Sequence, residues 1–354
     1  MAHEWEPGWT DPYAAAPAAP TASAPPAQPP LAPTVATAYA PHRPSPPRRP
    51  RRSGWIVACL VGLAYLAWHW EDVADIVEGF RAGSTPAYAL PTVENLSAEA
   101  PEEGYALFGS DDLARHLERE LMAHTARIDV TEWTRLDEDF DTLWDAWDEV
   151  LAQNPYLYVD TGHAYRVPGR VELRPTYTYS AEESERRRAL TVSAARAGLE
   201  AAGVADAPDD AAKVGLIYDY IAAVAEYDYT AADEIEQDIS SGLVAHSQEA
   251  YAILVDGYAV CAGYSKAFIA MAHEAGLEAV EVTGSDTAGR YGGSHAWNKV
   301  LVDGRWLLVD ITWDDEGSYA GDDYLLLPDD ADILDTRTAD LSWMNDARVA
   351  DYRG

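Results

Sequence analysis

The 354-residue chain contains only two cysteines, Cys59 and Cys261, so no disulfide framework holds it together. Basic residues are scarce: 25 Lys and Arg stand against 60 Asp and Glu, for a net charge of −35. Such a surface excludes a nucleic-acid binder, which needs basic patches to neutralise phosphates. No Cys/His cluster has zinc-ligand spacing, no EF-hand loop is present, and no glycine-rich phosphate loop occurs. No metal or cofactor is implied. Residues 1–53 lack aliphatic periodicity and are rich in Pro and Ala, the composition of a disordered arm.

The next absence is of charge. Residues 54–70, GWIVACLVGLAYLAWHW, hold no Asp, Glu, Lys or Arg. That length is at the short end of a membrane span, and Trp68, His69 and Trp70 suit an interface belt. A single transmembrane helix is expected over 54–72. Arg48, Arg49, Arg51 and Arg52 precede it while Glu71, Asp72 and Asp75 follow, which puts the N-terminus in the cytoplasm and the larger part outside the cell membrane. Charge divides the same way, +2 before residue 54 and −37 after it.

Past the span, residues 73–104 read as a Pro-punctuated linker and 105–203 as a small α/β module. The module has helical patterns at 110–124 and 137–152, a strand at 126–133, further strands through 156–179 and a charged helix at 181–203. Residues 204–330 form the second domain, with an amphipathic helix at 211–226 and an acidic, loop-like segment at 227–250. Residues 331–354 read as an acidic tail.

Chemistry concentrates in 256–315. Cys261 is the single cysteine after the span, and AGYSKAFIAMAHEAG reads as a helix beginning at that cysteine and ending at Gly276. Unpaired amides and the positive end of the helix dipole favour a thiolate there. SHAWNKVLVDGRWLLVDITW reads as a hairpin turning at Asp303-Gly304. In that register Val302 pairs with Arg305, and His295 and Asp310 are diagonal neighbours on one face, with Trp297 between them. The other face carries Val300, Val302, Leu307, Val309 and Ile311. The helix is expected to dock on the His295 face and bring the thiol in. Thiol catalysis needs a thiolate, an imidazole to take its proton, and a group to orient the imidazole. Cys261, His295 and Asp310 supply those types in order.

The C-x-G-Y helix start (Cys261, Gly263, Tyr264), the H-A-W-N segment at His295 and the V-D-I-T-W segment at Asp310 resemble the core of transglutaminase-like cysteine enzymes, a papain-related superfamily. The resemblance extends upstream through LIYDYIAAVAEYDY and HSQEAYAILVDGYAVC, covering about 211–328. It implies an α+β fold with the catalytic cysteine at a helix N-terminus packed on an antiparallel sheet. It also implies attack by Cys261 on an amide of a protein or peptide through a thioester, and a catalytic part outside the membrane puts cell-envelope substrates in reach. The preceding segment should supply an oxyanion donor, with Gln248 and Tyr251 as candidates. Tyr264 and Trp297 are the expected cleft walls. The competing expectation is a non-catalytic module of the same fold that binds or scaffolds envelope proteins.

Overall fold

The computed structural model describes residues 88–339 apart from 103, 106, 107, 109, 110, 136, 138, 238, 287–292, 315–321 and 329. The expected N-terminal arm and transmembrane helix lie outside the described residues. Among the described residues, no helix is long and apolar enough to cross a membrane. The fold is mixed α/β, and its described residues fall within one compact unit.

Helices α1 (Asp112–Met122), α2 (Thr131–Thr134) and α3 (Asp141–Gln153) pack with a three-stranded antiparallel sheet. That sheet has β1 (Ile128–Asp129), β2 (Val159–Val167) and β3 (Arg170–Tyr177) in the order β1-β3-β2. Leu117, Leu121, Leu143, Trp147, Val150 and Leu173 form its core. The strand expected over 126–133 is only two residues long. Asp129 accepts hydrogen bonds from both the amide and the hydroxyl of Thr131, and this side-chain turn starts α2 instead.

Helix α4 (Ala181–Ala202) starts where Ser180 caps the Glu183 amide and stops at Gly203 with φ 70°, where a left-handed conformation is needed. Its Leu190, Val192, Ala194 and Ala195 belong to the main core, together with Ile217 and Ile221 of α5 (Asp210–Val224). The segment expected as loop over 227–250 is largely regular. It contains β4 (Glu226–Tyr227), α6 (Tyr229–Glu236) and α7 (Gly242–Ser247). Asp228 caps α6 and Ser241 caps α7. These two N-cap residues were the signal that the acidic composition masked. β4 pairs in parallel with β5 (Tyr258–Ala259), which leads directly into α8 (Cys261–Glu274).

The second sheet is antiparallel: β6 (Ala279–Asp286), β7 (Gly293–Val302), β8 (Arg305–Val309) and β9 (Arg337–Ala339), in the order β8-β7-β6-β9. A short helix α9 (Ile311–Asp314) follows β8. Asp303 and Gly304 take φ of 50° and 74°, as the tight hairpin turn requires, and Val302 pairs with Arg305 as expected. The docking face differs from expectation. Val300, Val302 and Val309 share the main core with Phe268 and Met271 of α8, and Asn298 reaches Ser265. Trp297 lies in a separate cluster with Ala152, Val280, Val282 and Leu308. Both sheet faces are buried, so hydrophobic alternation could not select the one the helix takes. The C-terminal tail also departs from expectation, because β9 extends the sheet along β6.

Candidate active site

The cysteine is presented by backbone approach. Val260 precedes α8 in extended conformation and donates its amide to the Ser247 carbonyl at 3.0 Å. Cys261 is the first helical residue, so its amide precedes the intrahelical bonding that begins where the Gly263 amide donates to the Val260 carbonyl at 2.8 Å. Gly263 lets this turn approach the chain behind it. A Cβ there would press on Ala259 and lie 2.6 Å from the Ser247 carbonyl oxygen. Cys261 is partly buried as a residue. Nearby in sequence, Tyr258 is 52% exposed, the most open of the large hydrophobic side chains among the described residues.

The sheet holds the other two groups. His295 lies near the start of β7 and is 8% exposed, and Asp310, just after β8, is 1% exposed. The imidazole Nε2 donates to the Asp310 carboxylate at 2.7 Å. That leaves Nδ1 on the other side of the ring, and Cys261 is near enough to the imidazole to help raise it. The helix brings in the sulfur by its end rather than its face, so docking on the opposite side of the sheet does not keep the three groups apart. Trp297 stacks on the imidazole at 5.7 Å between ring centres, with Trp313 at 5.9 Å.

Burial by itself would strip the proton from His295. The charge and hydrogen bond of Asp310, with a smaller contribution from Cys261, overcome it and raise the imidazole to about 10. Burial would likewise raise Asp310. The His295 charge and hydrogen bond, followed by Arg337, instead hold its carboxyl below the usual range. At neutral pH the arrangement is an imidazolium bound to a carboxylate, beside a thiol at a helix N-terminus.

The other expected site residues fall as follows. Gln248 is half-buried and follows Ser247, whose carbonyl touches the start of α8, so it stands on the segment that backs the cysteine. The Tyr251 ring is taken up by the Arg187 guanidinium at 4.4 Å and lies 6.0 Å from the His246 ring. Tyr264 and Trp297, expected as cleft walls, are buried to 1% and 2% exposure. Tyr264 faces the core because it is one helical turn beyond the cysteine, and Trp297 backs the imidazole from inside the sheet.

Three residues without an assigned role prove to matter for the geometry. Asn298 donates to the Ser265 carbonyl at 3.1 Å and hydroxyl at 2.9 Å, tying α8 to β7. Lys299 is fully buried on β7, and burial lowers it to about 7. Arg337 of β9 contacts Asp310. Asn298 ends the H-A-W-N segment and Lys299 follows it, but nothing in the sequence around Arg337 connects it to the site.

A cysteine at a helix start and a buried imidazole–carboxylate pair on an antiparallel sheet are the group types that thiol catalysis uses. Residues 197–311 match the sequence model of the transglutaminase-like superfamily, and the chain carries a transglutaminase-like domain there. A 118-residue stretch is 32% identical to the kyphoscoliosis peptidase of Mus musculus, covering 30% of this chain and 16% of that protein. Among solved structures, a TGase is 20% identical with a TM-score of 0.33, covering 50% of this chain and 48% of the other. A candidate cysteine protease from Cytophaga hutchinsonii is 18% identical with a TM-score of 0.30, covering 42% and 41%.

Proposed function

We propose that the chain is a cysteine enzyme acting on amide bonds of proteins or peptides, with Cys261, His295 and Asp310 as its triad. The observation that supports this reading is the buried His295 Nε2–Asp310 pair at 2.7 Å, with Cys261 near enough to add to the rise of the imidazole. The Cys261 thiolate attacks the carbonyl carbon, and the electrons of the C=O bond move to oxygen. On collapse the imidazolium gives its proton to the leaving amine, and a thioester remains on the sulfur. Asp310 holds the ring with Nδ1 toward the sulfur and stabilises its charged form. The Cys261 amide, with the Gln248 side chain as the second candidate donor, faces the developing oxyanion. Water resolving the thioester makes the enzyme a peptidase or amidase, and an amine makes it a transglutaminase. Residues 54–70 would hold it to the cell membrane with the catalytic part outside, and envelope proteins would be within its reach.

The test is the rate of Cys261 alkylation by iodoacetamide against pH, in the full chain and in His295→Ala, followed on the peptide that carries Cys261. The expected result is rapid alkylation at pH values where a free thiol, with a pKa of about 8.5, is protonated, and loss of that advantage without the imidazole. Identical curves typical of a free thiol in both proteins would overturn the reading.

A further inference from the structure

The carboxylate of the triad has a second cationic neighbour. Arg337 Nη2 lies 2.7 Å from Asp310 Oδ2, the same oxygen that accepts from His295. On its other side Arg337 Nε lies 3.1 Å from Asp286 Oδ2. Arg337 and both acids have side chains no more than 3% exposed. The guanidinium is enclosed by rings: Trp297 at 5.3 Å, Trp313 at 5.0 Å and Tyr324 at 4.9 Å from their centres. Two of these, Trp297 and Trp313, also flank His295.

The backbone is shaped for this delivery. β9 pairs with the end of β6 so that Arg337 stands directly opposite Asp286, and Gly284 stands opposite Ala339. A Cβ on Gly284 would collide with the Thr338 carbonyl and lie 2.7 Å from the Trp297 ring. β9 and Trp297 can therefore both close on β6 only where that side chain is missing. Arg337 lies beyond residue 311, where the family match ends.

We propose that Arg337 is a positioning residue of the active site, acting through Asp310 to keep it ionised and fixed against His295. This rests on the triad reading above. The order of groups from the thiol is then Cys261, His295, Asp310, Arg337, Asp286, with charges alternating in sign when sulfur and imidazole are ionised. Without the guanidinium, Asp310 keeps only one of these two cationic neighbours, and burial then raises the pH at which it takes up a proton. A neutral Asp310 no longer stabilises the imidazolium. Among the described residues, the charged groups in contact with Asp310 are His295 and Arg337, on β7 and β9.

The experiment is the pH profile of Cys261 alkylation by iodoacetamide in the full chain, comparing wild type with Arg337→Gln, Arg337→Lys and Asp286→Asn. In Arg337→Gln the acid limb moves up by at least one pH unit, and the rate at pH 6 falls at least tenfold. Lysine keeps the charge but not the fork, so Arg337→Lys moves the limb in the same direction by a smaller amount. This variant carries the test if the glutamine protein does not fold. Asp286→Asn retains the Arg337–Asp310 contact, and its acid limb stays in place or moves down. An unchanged limb in the arginine variants, or the same upward shift in Asp286→Asn, would show a strap between β9 and β6 and overturn the proposal. A wild-type curve typical of a free thiol would instead bring down the triad reading itself, and the proposal with it.

Discussion

Replacing Gly263 by alanine sets two effects of opposite sign against each other. Alanine is favoured over glycine inside a helix by about 1 kcal/mol, and Gly263 lies in the first turn of α8. The new Cβ would press on the Ala259 methyl and sit 2.6 Å from the Ser247 carbonyl oxygen and 3.3 Å from that of Glu249, where ordinary contact begins at 3.4 Å. These obstacles are backbone, or a methyl fixed to it, so no rotamer change relieves them. The N-terminus of α8 must retreat, breaking into the hydrogen bond from Val260 to Ser247. Overpacking of this kind costs about 1–3 kcal/mol, which outweighs the propensity gain. Gly215, inside α5, is the control, because a Cβ there meets nothing within 4 Å. Gly215→Ala should stabilise by about 0.5–1 kcal/mol. The assay is urea denaturation of both variants, with the Cys261 alkylation rate measured on the same samples. Gly263→Ala should unfold at lower urea than wild type and lose thiol reactivity, while Gly215→Ala unfolds at higher urea and keeps it. A Gly263→Ala protein as stable as Gly215→Ala, with the thiol unaltered, would refute the close-approach argument.

Two further expectations concern pH. The His295 imidazole is raised to about 10 in the folded protein, so its contribution to stability is complete below the unfolded value of about 6.5 and lost as pH rises toward 10. Asp310→Asn removes the main source of that shift. The stability difference between wild type and this variant should be largest between about pH 4 and 6.5 and shrink toward pH 10, and a difference flat across that range would refute the pairing. Lys299 titrates in the opposite sense, since burial lowers it to about 7. In wild type it costs most stability at and below pH 7, and this cost disappears as pH rises toward the unfolded value of about 10.5. The stability of Lys299→Met relative to wild type should therefore decline over that interval, and a pH-independent difference would sink the explanation. Together with the alkylation curves for His295→Ala and for Arg337, these measurements probe each charged group of the site separately.

Local rules in the sequence reached far into the site. Asp303-Gly304 set the hairpin register, and that register brings His295 and Asp310 together without reference to the rest of the chain. Gly276 and the apolar spacing of α8 fixed the helix, and its start placed Cys261 at the amide-rich end. These features depend on neighbours in sequence or on one hairpin, so a short stretch encodes them. Tertiary structure decided the rest. The side of the sheet that α8 takes is set by Asn298 meeting Ser265 and by α3 covering the opposite face through Ala152, contacts between segments far apart in the chain. The burial of Tyr264 and Trp297 follows from the same packing. Arg337 is the clearest instance: it comes from a three-residue strand in an acidic stretch, too short for any periodicity to announce. It reaches Asp310 because β9 pairs with β6 and Gly284 leaves room for it to do so. Charge and hydrogen-bond partners were thus written locally for the imidazole, but globally for the carboxylate that holds it.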